Sequence, residues 1–373
     1  MKYRLFPTKA QTTALEQTLD ACRWVYNKTL EVRKTAWEQE QRTVSYFETK
    51  RLLPQWKAEH PFLAQAHSQV LQNVTERVDL AFKAFFRRMK AGEDPGYPRF
   101  RGKGRYDSLT YPQYSNGCTL HEGVLTLSKI GAICTVQHRP LEGTPKTCAV
   151  RRTATGKWYV TIACEVDAQP LPDTGERLGI DVGLTSFATL STGEQTSCPK
   201  FLRTDEKDLK RTQRKLSAAA KGTSERAKRR QIVARVHERI VHRRTNFAHQ
   251  QSRRLVNRCA VIVVEDLAVN QMVHNHCLAK SIQDAAWSQF TSHLAYKAAY
   301  AGRQYVAVNP AYTSQTCSQC GHRQKLTLAQ RTFACPCCGL TLDRDHNAAR
   351  NILTLGLQRL GLVPRSPSTC AWE

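Results

Sequence analysis

The sequence predicts a multidomain protein of mixed class, α+β in its first half and α/β in its second. Three observations predict it. Helical periodicity dominates 8–92 and then gives way to short β-type runs as far as 166. After a Pro- and Gly-bearing stretch at 167–176, apolar strands that end in an acid alternate with helical segments. Two Cys-x-x-Cys pairs then lead directly into a last helix rich in Asp and Asn. At 373 residues with 41% hydrophobic content, the chain is long enough for two or three cores.

Residues 2–6 alternate as a short strand, and Thr8 with Gln11 forms a capping box ahead of Leu15, Leu19, Cys22 and Val25. Ser45 and Glu48 make a second box before a short helix that Pro54 limits. From 68 to 89 the apolar residues Val70, Val74, Val78, Phe82, Phe85 and Met89 recur at three- and four-residue spacing, which predicts an amphipathic helix. The segment 92–106 breaks that pattern with turn formers among Arg99, Arg101, Lys103, Arg105 and the aromatics Tyr97 and Phe100. A solvated basic loop and a nucleic-acid contact both fit it, and the interleaved aromatics favour the second. Residues 147–153 and 158–165 read as a hairpin across 154–157, within a small β-barrel-like domain that strand 2–6 completes.

Beyond the linker, Gly-Ile-Asp-Val-Gly at 179–183 lies in one strand and its turn, with a second strand following. Segment 202–257 has helical spacing at Leu209, Leu216, Ile232, Val236 and Ile240, and its Lys and Arg outnumber Asp and Glu more than three to one. Such a stretch repels itself unless something anionic lies along one face. A strand at 261–265, a helix around Trp287, Phe290 and Leu294, and a strand at 305–308 precede the cysteines.

The formal net charge of +25 points to a polyanionic partner, nucleic acid before an anionic membrane. No apolar run approaches the roughly 20 residues of a membrane span, and the N-terminus lacks a signal core, so a cytoplasmic protein is expected. Of fourteen cysteines, Cys22, Cys134, Cys148, Cys164 and Cys259 stand singly in apolar segments and read as small buried hydrophobes. The chain has no G-x-x-x-x-G-K-[ST], G-x-S-x-G or H-E-x-x-H, which argues against an ATP-driven enzyme, a serine hydrolase and a zinc protease.

Cys317 with Cys320 and Cys335 with Cys338 have the spacing of a zinc ribbon, and Gly321 and Gly339 suit the two knuckle turns. A closed set of four thiolates implies structural Zn²⁺; Cys337 is a competitor for either partner or points away. Three acids stand out: Asp181 inside an apolar strand, Glu265 at the end of another and Asp345 at the start of the last helix. Each alone has an ordinary reading as a strand-end or helix-capping carboxylate, and Asp343 competes with Asp345 for the cap. Together, three carboxylates from separate elements can hold two Mg²⁺ ions roughly 4 Å apart and act on a phosphodiester.

In order and content, Gly-Ile-Asp-Val-Gly at 179–183, V-V-E-D-L-A-V-N-Q-M at 263–272, T-S-Q-T-C-S-Q-C-G at 313–321, C-P-C-C-G at 335–339 and D-R-D-H-N-A-A-R-N-I at 343–352 resemble the TnpB family of insertion-sequence nucleases, relatives of the type V CRISPR effectors. R-L-F-P-T-K-A-Q at 4–11 and G-Y-P-R-F-R-G-K at 96–103 extend the resemblance over nearly the whole chain. It implies a β-rich wedge-like domain (1–7 and 93–170), a helical recognition domain (8–92), an RNase H-like RuvC domain in two parts (176–310 and 342–362), a zinc ribbon between them (311–341) and a flexible tail (363–373). The implied catalytic acids and Mg²⁺ ligands are Asp181, Glu265 and Asp345, with Mn²⁺ an expected substitute.

The resemblance also implies a guide RNA from the transposon end, double-stranded target DNA cut beside a short flanking motif, one protein molecule on the RNA, and a prokaryotic, nucleoid-associated location. Base pairing would carry the sequence information while the protein holds shape and phosphates. The alternatives are a transposase or a transposition-regulating DNA-binding protein that acts without guided cleavage. The acid order Asp, Glu, Asp disfavours a transposase of the kind that ends in Glu, and an intact acid set disfavours a non-cutting binder. A plain zinc-ribbon DNA-binding protein leaves Asp181 and Glu265 unexplained.

Overall fold

The computed structural model describes residues 1–327 and 329–363; of the expected tail 363–373, residues 364–373 lie outside the described residues. The chain divides into two units, Met1–Val166 and a second that begins at Asp167, where the Pro/Gly linker was expected.

The first unit runs β1 (Lys2–Phe6), α1 (Lys9–Glu40), α2 (Tyr46–Arg51), α3 (Leu53–Glu59), α4 (Ser68–Lys90), β2 (Ser108–Tyr111), β3 (Cys118–His121), β4 (Val124–Leu127), β5 (Gly131–Val136), β6 (Thr144–Arg152) and β7 (Trp158–Glu165). Both capping boxes form, with Thr8 and Gln11 at α1 and Ser45 and Glu48 at α2 each exchanging two hydrogen bonds. Pro54 sits in the first turn of α3, where its missing N–H costs nothing. The seven strands form one antiparallel sheet in the order β2-β6-β7-β1-β5-β4-β3, so β1 is its central strand. Helices and sheet share one core: Leu15, Leu30 and Val74 pack into the same apolar cluster as Tyr3, Leu109, Ile133 and Val160. Alternation along β5 turns Ile133 inward and Cys134 outward, which corrects the expectation that Cys134 is buried; Cys164 is half-buried, whereas Cys22, Cys148 and Cys259 are buried.

The second unit contains β8 (Arg177–Asp181), β9 (Ser186–Leu190), β10 (Gln195–Ser197), α5 (Phe201–Ala218), α6 (Ser224–Arg258), β11 (Val261–Glu265), α7 (Val269–Met272), α8 (His276–Ala285), α9 (Trp287–Tyr300), β12 (Gln304–Val308), β13 (Thr332–Ala334), β14 (Thr341–Asp343) and α10 (Arg344–Arg359). Its main sheet has the order β10-β9-β8-β11-β12; β8, β9 and β10 are antiparallel neighbours, whereas β8, β11 and β12 run parallel. Both faces are covered, so β11 reads as the continuous apolar run Val-Ile-Val-Val. Ile262 and Val264 join a core with Leu255, Phe290 and Leu294 of α6 and α9. Val261 and Val263 face the other way, onto Ile352 and Leu357 of α10.

Two glycines set how closely α10 lies on the sheet. A Cβ on Gly179 would overlap the Ala349 carbonyl and the Leu353 amide, and one on Gly356 would overlap both methyls of Val263. The basic segment folds as the hairpin α5–α6. Its acids are paired with basic groups, Asp205 with Arg239 at 2.6 Å and Arg243 at 3.1 Å, and Glu206 with Lys210 at 2.9 Å and with Lys280 of α8 at 2.6 Å. Arg244 reaches the buried Asp284 of α8 at 2.7 Å, which fastens the hairpin to the rest of the unit. Among the described residues, no helix is long and apolar enough to cross a membrane.

Candidate functional site

β8 and β11 are parallel neighbours with Ile180 opposite Val264, so Asp181 and Glu265, each one residue later, leave the sheet at the same end. The helix α10 packs on both strands and brings Asp345, in its first turn, to that end. All three acids are partly exposed, as a site that receives a ligand from solvent requires. Burial and then the charges of Glu265 and Asp345 push the Asp181 carboxyl well above the usual carboxylate range, with Arg344 opposing. Burial also raises Glu265, against the hydrogen bond from Thr313, and it raises Asp345 together with the charge of Asp343, against Arg331 and Arg344.

Asp343 has a different job. Its Oδ1 accepts the backbone N–H groups of Asp345 and His346, both at 3.0 Å, so it is the N-cap of α10. The competition between the two aspartates for the cap is thereby resolved, and the Asp345 carboxylate is left free of that role.

The four thiols expected to bind metal come together. Sγ of Cys317 lies 3.6 Å from that of Cys338, Cys320 stands at the same distance from Cys335, and all four fall within 4.8 Å of one another. A tetrahedron with Zn–S bonds near 2.3 Å has edges of about 3.8 Å, so the set fits a four-coordinate ion. Each knuckle has the same backbone. The Gly321 and Gly339 amides donate to the carbonyls of Cys317 and Cys335 at 3.0 Å, both glycines having positive φ. Cys337 is exposed and outside the set.

Sequence reasoning missed the residues that join these two sites. Asn347 and Asn351, one helical turn apart on α10, both donate to the Thr316 carbonyl, at 2.8 and 2.6 Å, and Asn351 also reaches the Thr313 carbonyl at 2.8 Å. Asn347 accepts the Ser318 amide at 2.9 Å, and Thr313 donates its hydroxyl to Glu265 Oε1 at 2.6 Å. The i, i+4 spacing of the two asparagines was the available signal.

In the first unit, the basic loop is anchored rather than free throughout. Tyr97 stands edge-on to Phe82 and Phe85 of α4, at 5.6 and 5.5 Å between ring centroids. Arg101 exchanges two backbone hydrogen bonds with the Asn27 side chain and lies 5.5 Å from the Tyr26 ring. Arg99, Phe100, Lys103 and Arg105 remain exposed beside these anchors.

At the level of fold, the chain is similar to a solved nuclease structure. A structure of the mini-RNA-guided endonuclease CRISPR-Cas_phi3 superposes with a TM-score of 0.55 and 8% identity, covering 98% of this chain and 92% of that one. Family models match at 1–42 (helix-turn-helix domain), 161–276 (probable transposase, OrfB of IS605) and 287–352 (Cas12f1-like, TNB domain). A putative RNA-guided DNA endonuclease of Streptomyces pristinaespiralis is 42% identical over 95% of this chain and 89% of its own length. The putative RNA-guided DNA endonuclease InsQ of Escherichia coli K12 is 32% identical over 95% and 91%. The chain belongs to the IS605 OrfB family, that of the TnpB proteins.

Proposed function

We propose that this chain is an RNA-guided DNA endonuclease that hydrolyses a phosphodiester at Asp181, Glu265 and Asp345, using a guide RNA from the end of its own transposable element. The observation that carries the reading is the convergence of these acids at one end of the β8–β11 pair. Strand order β10-β9-β8-β11-β12, with three antiparallel strands followed by two parallel ones, supports an RNase H-like RuvC domain formed by 176–310 and 342–362. The paired Cys-x-x-Cys knuckles support a zinc ribbon at 311–341. The first unit would comprise the helical and wedge-like parts that hold the guide–target duplex next to a short flanking motif.

Oxygen donors alone suit Mg²⁺ or Mn²⁺, and three carboxylates from separate elements can hold two such ions. Such ions supply polarisation of the scissile phosphate and an acidified water. The chain itself places the acids. β8 and β11 fix Asp181 and Glu265 in register, Asp343 caps α10 so that Asp345 faces its partners, and partial burial strengthens every charge interaction there. Thiolates of Cys317, Cys320, Cys335 and Cys338 would hold Zn²⁺ as a brace with no open position.

The test is to purify the protein with its RNA, sequence that RNA, and measure guided double-strand cleavage with Mg²⁺ against an Asp181→Ala variant. Cleavage that persists in the variant, or protein that copurifies with no RNA, overturns the reading. The matched family description "probable transposase" favours strand transfer as the second reading. Joining of element-end DNA to a target in the same reactions would select it.

A further inference from the structure

We infer that Thr313 is a positioning residue for Glu265, and that Asn347 and Asn351 make the ribbon's first knuckle part of the active-site frame. The inference rests on the assignment of Glu265 to the site. Glu265 is the last residue of β11, and one of its oxygens is held by Thr313 Oγ1 at 2.6 Å. Thr313 is itself buried; its hydroxyl lies 3.1 Å from the Pro310 carbonyl as well, and the shorter contact is the one to Glu265. The backbone that delivers it is built for the purpose. Asn309 Oδ1 accepts the Ala311 amide at 2.9 Å, and Tyr312 adopts φ 66°, a left-handed conformation unfavourable for an aromatic residue. Tyr312 is held there by the Gln315 and Thr316 amides, both at 3.0 Å from its carbonyl, and its ring lies beneath the Arg323 guanidinium. Asn351 then ties the Thr313 and Thr316 carbonyls to α10, and Asn347 ties Thr316 and Ser318 to the same helix. One loop therefore touches Glu265 at its start and bears Cys317 at its end, while the helix that carries Asp345 grips its middle. Glu265 and Asp345 come from different elements that pack on each other, and this loop adds a second, hydrogen-bonded link between them.

The experiment uses the full chain with its guide RNA and compares wild type, Thr313→Val, Thr313→Ser and Glu265→Ala. Two readouts are taken: the Mg²⁺ concentration for half-maximal cleavage, and Mn²⁺ binding without turnover, measured by electron paramagnetic resonance. Loss of an outer hydrogen bond to a metal ligand weakens binding by about 10–100-fold. Thr313→Val is expected to raise both values by that factor with zinc content and RNA binding at wild-type levels, and Thr313→Ser, which restores the hydroxyl, to return both to within about threefold. Wild-type Mn²⁺ affinity in Thr313→Val, or a serine variant as defective as the valine, overturns the inference. Failure of the underlying assignment looks different: a Glu265→Ala variant would then bind Mn²⁺ and cut like wild type.

Discussion

Gly179→Ala tests whether close contact between α10 and β8 sets both the stability of the second unit and the geometry of its acids. The added methyl would meet the Ala349 carbonyl and the Leu353 amide, which are backbone atoms in the middle of a helix and have no rotamer to escape into. Overpacking of a core costs about 1–3 kcal/mol, and the upper end applies where the obstacle is backbone. In a domain of this size each kcal/mol lowers Tm by about 2–4 °C, so a fall of about 6–12 °C is expected. If α10 instead lifts by about 1 Å to make room, Asp345 moves with it, and a displacement of that size costs on the order of 100-fold in rate. Thermal unfolding and single-turnover cleavage measure the two effects, with Gly96→Ala as control because a Cβ there meets open space. Gly356→Ala should behave similarly but be relieved in part by Val263→Ala, which removes the two methyls in the way and leaves only the Cβ of that residue in close contact. A Gly179→Ala protein with wild-type Tm and wild-type rate would refute this account of the helix–sheet contact.

Three further outcomes are expected. Asp181 holds its proton more tightly in the folded chain than when unfolded, so its contribution to stability is present below the ordinary carboxylate range and is lost as pH rises through the raised value. Without divalent cation, Asp181→Asn should therefore gain Tm relative to wild type as pH rises from about 4 toward neutrality; a difference that stays flat with pH counts against the burial and repulsion that raise this group. Asp343→Ala removes a helix cap worth about 0.5–2 kcal/mol, so it should lower Tm while cleaving faster than Asp345→Ala. Equal loss of cleavage in the two variants would reassign Asp343 to the reacting set. Cys337→Ser should retain one zinc per chain by elemental analysis and Cys338→Ser should lose it, because only the second residue belongs to the four-thiol cluster.

Features governed by local chemistry were legible in the sequence. The capping boxes at Thr8 and Ser45, the hairpin across 154–157 and the apolar run of β11 each declare themselves through neighbouring residues, and the structure places them as expected. Glu265 was read as a strand-end acid and Asp181 as one inside its strand, whereas Asp181 is the last residue of β8; their register could not be seen, because parallel pairing joins residues about eighty positions apart. Cys134 was misjudged because composition identifies an apolar segment without saying which alternate residues face inward. β10 escaped because Gln-Thr-Ser carries no apolar face, and its pairing with β9 supplies its order. Tyr97 and Arg101 share a segment with exposed cations, so nothing local distinguishes anchors from contact residues.

The motif from Asp343 to Gly356 shows why such a run holds several residue types that seem interchangeable and are not. Successive positions on α10 meet different surfaces: Asp343 ends the helix, Asp345 faces the other acids, Asn347 and Asn351 grip the ribbon loop, Ile352 enters the core and Gly356 allows contact with Val263. A helix turns by 3.6 residues per turn, so the asparagines at i and i+4 share one face while the acid two residues before Asn347 looks elsewhere. Inserting one residue within this stretch would rotate every later position by about 100° and turn the asparagines away from the loop they hold. The chemistry proposed for Asp345 and the thiol cluster are therefore linked through a helical register, and the loop bearing Thr313 is the part that carries this link to Glu265.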